Sequence, residues 1–383
     1  MFKMTRILLT TALAIGAVLP ALSQARNNNA ENDNNAGGGA VFAMTNNADH
    51  NEIVSYKRSA DGWLTEVHRY WTEGRGSGGT TDPLGSQGSL TLSQDRSLLF
   101  AVNAGSGNIS VFRVLGAVLQ FVGKVPCGGS EPVAVAQYRD LVYVVNAGGT
   151  SDVVGFRIEK SGQLKVIPGS TEFLSTGSAG PASLAFSPDG QFLLVTEKAT
   201  NSIDAFHVQI DGTLAPIVVN SSAGPGAFSV AFTPSGTALV AETGPAGGTN
   251  ASAISSYSVQ ANGKLSDVST SVPTLAAATC WLEVTPNGKF VYTSNAGSGT
   301  VSGFAIGANG ALTPVSGTIV GTNPSGSSNL DLAITEDGKF LYTLNSGTGT
   351  VSIFAINSDG TLTSLGDVAG LSADAGVNGI AAN

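Results

Sequence analysis

Residues 183–214 read SLAFSPDGQFLLVTEKATNSIDAFHVQIDGTL. A short apolar run (SLAF) stops at Ser-Pro-Asp-Gly, and a second (FLLVTE) ends on Glu197. After the small-residue loop KATN, a third run closes on Phe206, and Asp211-Gly212 turns the chain once more before Leu214. Pro presets φ, Asp bonds its own backbone, and Gly supplies a positive φ, so these punctuation marks are turn chemistry. Runs of this length between such turns predict β-strands. The order is strand A, PDG turn, strand B, loop, strand C, DG turn, strand D.

The same order recurs along the chain. Strand B ends at Asn46, Asn103, Asn146, Glu197, Glu242, Asn295 and Asn345. Strand C closes on Tyr56, Phe112, Phe156, Phe206, Tyr257, Phe304 and Phe354. Successive strand B ends lie 57, 43, 51, 45, 53 and 50 residues apart. A period of about 50 residues with four strands per copy is that of a propeller blade. The prediction is all-β: a seven-bladed β-propeller with four antiparallel strands per blade over residues 40–383. Copy one has no strand A of its own, and GVNGIAAN (376–383) reads as a lone strand A. That segment is expected to join the first blade and close the ring, leaving no open edge.

Composition agrees. Fifty of 383 residues are glycine, about twice the usual 7%, and only 12% are charged. The net charge is −9, which argues against nucleic acid as a partner. Cys127 and Cys280 are too few for a disulfide framework or a four-cysteine zinc site. They fall in blade connections roughly opposite one another, so no disulfide is expected. His50, His68 and His207 follow no metal-ligand spacing. No G-x-S-x-G elbow, H-E-x-x-H, C-x-x-C or phosphate-binding loop occurs.

Lys3 and Arg6 precede an apolar run of 13 residues, 7–19, and Ser23-Gln24-Ala25 offers a cleavage site. Residues 1–25 therefore predict a secretory signal peptide, with an uncleaved anchor as the alternative. Residues 26–39, Asn- and Gly-rich, predict a disordered leader. The expected location is periplasmic or extracellular.

Binding residues favour loops held on a rigid scaffold, so the face bearing the B–C loops and the connections between blades is the first candidate. It gathers the Asn/Glu ring. Asn suits turns, whereas Glu197 and Glu242 interrupt apolar strands in adjacent blades and are the candidate catalytic bases, if they are not exposed or paired with a lysine. Lys198 is the candidate partner of Glu197. Substrate-binding candidates are Arg75, Asn103, Glu131, Asn146, Lys198, Trp281, Asn295, Asp331 and Asn345. Trp281 stands where other copies carry Ser89, Ser183 or Ser229, and either floors a pocket or plugs the channel.

The PDG turns, the YVxN-type strand B ends and the DGxL turns resemble the lactonase-like seven-bladed propellers. That family is related to 6-phosphogluconolactonase and the carboxymuconate cyclases. The resemblance covers residues 40–383. GRGSGG (74–79), LGSQGSL (84–90), TEKATN (196–201) and TCWLEVT (279–285) resemble a secreted bacterial subgroup of it. It implies hydrolysis of a lactone or similar ester. The family's inner strands carry His and Arg; here the matching positions hold Ser183, Ser229, Trp281 and Asp331, and no Arg follows Arg157. A phosphorylated substrate needs cations, so a neutral lactone fits better. The alternative is a non-catalytic propeller that recognises a polysaccharide or protein. A calcium site built from Glu197, Glu242, Glu283 and Asp331 would need six to eight oxygens. The expectation is a monomer without cofactor or metal, acting on a small molecule, sugar or protein surface and not on a membrane.

Overall fold

The computed structural model describes residues 38–245 and 248–383. The expected signal peptide and residues 26–37 of the expected leader lie outside the described residues. Among the described residues there is no helix, so none is long and apolar enough to cross a membrane.

The strands form seven separate sheets, six of them built in chain order from an inner to an outer strand. In blade one, Ala40–Met44, Glu52–Arg58 and Leu64–Trp71 follow one another, and Ile380–Ala382 pairs beside Ala40–Met44 as the inner strand. Val41 lies opposite Ala382, and Ala43 opposite Ile380. The predicted closure is therefore present. In blades two to seven the inner strands are Leu90–Leu92, Ser130–Tyr138, Pro181–Phe186, Ala227–Phe232, Thr279–Val284 and Asn329–Ile334. Blade three departs slightly, since its outer position is filled by two short strands, Leu164–Val166 and Glu172–Phe173.

The aromatics that close strand C are all buried between blades, Tyr56 and Phe304 completely. Burying a side chain of this size contributes about 1.5–3 kcal/mol. Where strand B carries a tyrosine three residues before its Asn, the hydroxyl crosses to the next blade. Tyr143, Tyr292 and Tyr342 donate to the carbonyls of Gly212, Gly360 and Gly62, at 2.7, 2.9 and 2.9 Å. These glycines belong to the DG turns and hold φ of 85°, 85° and 91°, where an L side chain would be strained.

The inner strands share a β-bulge. In blades three to seven the register slips near the start, for example between Thr279 and Trp281 and between Asn329 and Leu332. A bulge re-aims side chains. Here it falls where Trp281 and Asp331 enter the channel region.

Candidate active site

The strand B ends turn inward, to bonds within the blades. Asn103, Asn295 and Asn345 are fully buried, and each donates to a serine seven residues on: Ser110, Ser302 and Ser352. Asn146 donates to Asp152 at 2.7 Å. Glu242 occupies the same place in blade five. Its oxygens accept from Gly224 N–H at 2.8 Å and from the hydroxyls of Ser222, Ser255 and Ser271. Glu197 accepts from Ser175 N–H at 2.8 Å and from the hydroxyls of Ser175 and Thr200. Both carboxylates are buried with their lone pairs occupied. They sit in separate blades and do not share a cavity.

Lys198 does not pair with Glu197. Its ammonium donates to Gly85 O at 2.5 Å and lies 5.4 Å from the ring centre of Phe228. Burial lowers its pKa, and Asp82 opposes that shift. Gly85 belongs to the longest blade connection, which dips into the channel instead of running over the rim. Ser86 donates to Val133 O, Gln87 N–H to Ala182 O, and the Gln87 amide exchanges two bonds with the Leu282 backbone. Trp281, fully buried, donates its indole N–H to Ser86 O at 2.8 Å and packs edge-on against Phe228. The tryptophan therefore plugs. Residues 84–87 and Trp281 together close the channel towards the loop face. Cys127 and Cys280 are buried free thiols.

Below this plug a funnel of about 280 Å³ opens towards the PDG-turn face. Its lining includes Glu283, Asp331, Arg96 and Gln87. Burial holds the Glu283 carboxyl up at about 7, with Arg96 pulling it back. Asp331, only 2% exposed, is held up to about 8, chiefly by burial; bonds from Leu332 N–H and Ile380 N–H oppose the rise, and the charges of Glu283 and Asp82 add to it. Two carboxyls from neighbouring inner strands thus share one cavity, both raised towards neutral pH. Such a pair can move protons in both directions near neutral pH.

Arg96 guards the mouth. It holds φ of 56°, where the equivalent turns of blades four to seven have Gly190, Gly236, Gly288 and Gly338. A side chain held there despite the strain points to a site. Its guanidinium bonds Ala382 O and lies 3.5 Å from Glu336.

Of the residues singled out from sequence, only Asp331 lines this funnel. Arg75 and Glu131 are exposed at the loop face, and Asn103, Asn146, Asn295 and Asn345 serve the blades. The funnel opens on the face opposite the one chosen from sequence. Sequence reasoning passed over Arg96 and weighed Glu283 only as a calcium ligand. The signal for Arg96 was legible: SQDRS (93–97) breaks the PDG pattern at its glycine. Among the described residues no three His, Cys, Asp or Glu side chains gather as a metal site.

Residues 155–280 and 231–330 match the family model described as lactonase, seven-bladed β-propeller. No curated protein matches the chain. A Bacteroides uniformis protein provisionally named a 6-phosphogluconolactonase superposes with a TM-score of 0.69 at 19% identity, over 91% of this chain and 100% of that one. The periplasmic gluconolactonase of Pseudomonas aeruginosa gives 0.68 at 19% identity, over 89% and 99%. A Lactobacillus plantarum protein gives 0.68 at 18% identity, over 89% and 99%. At these identities the likeness is one of fold. With its matched central blades and its closed seven-bladed ring, the chain is similar to the seven-bladed β-propeller lactonases.

Proposed function

We propose that the protein hydrolyses an uncharged lactone ring in the axial funnel. The observation that carries this reading is the Glu283–Asp331 pair, with carboxyls raised to about 7 and about 8 in one cavity. Glu283, ionised, takes a proton from water, and the hydroxide adds to the lactone carbonyl. The ring C–O bond then breaks, and Asp331, still protonated, gives its proton to the leaving oxygen. The product is a hydroxy acid. Arg96 supplies positive charge for the oxyanion that develops between these steps. The match of residues 155–330 to the lactonase family model supports the reaction class.

Hydrolysis of glucono-δ-lactone, followed by base uptake, tests it. Glu283→Gln and Asp331→Asn should each lower kcat by about 10²–10⁴-fold while melting like the wild type. Activity unchanged in both variants removes the pair from the mechanism. The predicted signal peptide supports a place outside the cytoplasm, and fractionation of cells expressing the full chain tests that separately.

A further inference from the structure

A second cavity adjoins the funnel. Ser93 and Gln94 line the funnel, and they also line this second cleft of about 370 Å³ between blades two and three. This cleft carries Arg113, Arg139 and Lys160. Among the described residues none of these three forms an ion pair. Arg113 donates only to Ser161 O at 3.2 Å, and Arg139 lies over the Tyr138 ring. Of the acids in the cleft, Asp140 is held by Arg157 at 2.5 Å, and Asp95 is taken up by the hydroxyls of Ser93 and Ser97. Those hydroxyls lower the Asp95 pKa and keep it ionised, so Asp95 and Glu159 stand against three unpaired cations, a surplus of one positive charge. That local sign opposes the whole chain, with 27 acids and 18 cations.

The cleft is also built. Gln94 N–H donates to the Gln137 side chain at 2.8 Å, and Arg139 N–H donates to the Gln94 side chain at 3.0 Å. This exchange clasps the turns of blades two and three side by side. Arg139 sits in its turn with φ of 53°, a second left-handed arginine next to Arg96. The two left-handed arginines line adjoining cavities, Arg96 the funnel and Arg139 the cleft. Leu98 and Ile158 are its main apolar walls, so it has no socket for a peptide side chain. Amides and hydroxyls fill the rest, and such a surface suits a polyol. Guanidinium groups match the planar fork of a carboxylate.

We propose that this cleft holds the carboxylates of an acidic sugar chain of the uronate type, whose reacting end lies in the funnel. The second clause rests on the funnel being the reaction site. The test is binding of fluorescent tetragalacturonate to the full Glu283→Gln chain. Arg113→Gln/Lys160→Gln should weaken binding about tenfold, as should raising salt. Arg139→Gly should weaken it too, with a melting temperature unchanged or raised, since glycine relieves the turn. Equal binding of the methyl-esterified tetramer overturns the proposal, as does equal displacement by inorganic phosphate. Wild type that hydrolyses glucono-δ-lactone but does not bind the tetramer overturns this inference alone. Tetramer binding without lactone turnover overturns the hydrolytic reading alone.

Discussion

Asp204 stands where blades two, five, six and seven place a serine opposite the end of strand B. Here the strand ends in Glu197, so two carboxyls face each other in a buried seam. Burial holds Asp204 up to about 9, and its bond to Glu197 and that group's charge add to the rise. Ser175 N–H opposes the rise, but no well-formed hydrogen bond reaches either Asp204 oxygen among the described residues, so the group is kept as the neutral acid facing Glu197. The folded protein thus holds a proton that the unfolded chain releases near pH 4. This stabilisation is complete below that pH and is lost as pH rises through about 9. Asp204→Asn supplies the donor permanently. It is expected to melt like wild type in acid and to be more stable by about 2 kcal/mol at high pH, as thermal melts across pH will read. Arg96 makes the complementary case. Arg96→Gly relieves about 1 kcal/mol of left-handed strain and forfeits the bonds to Ala382 and Glu336. Its melting temperature should therefore stay close to wild type while lactone turnover falls.

At the scale of elements, the blades were legible because their signals are local. PDG turns, DG turns and closing aromatics lie within a few residues of the strands they punctuate, so their order in sequence is their order in the sheet. The plug was not legible. Residues 84–87 carry no strand pattern, and their partners Val133, Ala182 and Leu282 belong to three other blades. The tyrosine bridges were equally hidden, since each hydroxyl meets a turn about 70 residues on, or 280 residues back for Tyr342. That last bridge joins blade seven to blade one. Tyr342→Phe leaves Gly62 O without its donor and should cost about 1 kcal/mol, measured by denaturant unfolding. A cost near zero would mean that the closing seam is held by apolar packing alone.

At the scale of the molecule, the plug divides the axis into a sealed upper part and an open lower funnel, and this division decides which acids can do chemistry. Glu197 and Glu242 look alike in sequence to any acid at a rim; the structure surrounds both with donors from crossings and strand C. Asp331 and Glu283 differ because their neighbours are channel walls. If Glu283 is the base and Asp331 the acid, lactonase activity should rise through about pH 7 and fall beyond about pH 8, a narrow bell in kcat/KM against pH. Glu283→Gln should remove its acidic limb. The closure of blade one has a consequence in time. Ile380–Ala382 pairs with a strand about 340 residues upstream. At about 5–20 residues per second of synthesis, Ala40–Met44 waits tens of seconds or more for its inner neighbour. Throughout that interval the ring is open and the edge of Ala40–Met44 is unpaired.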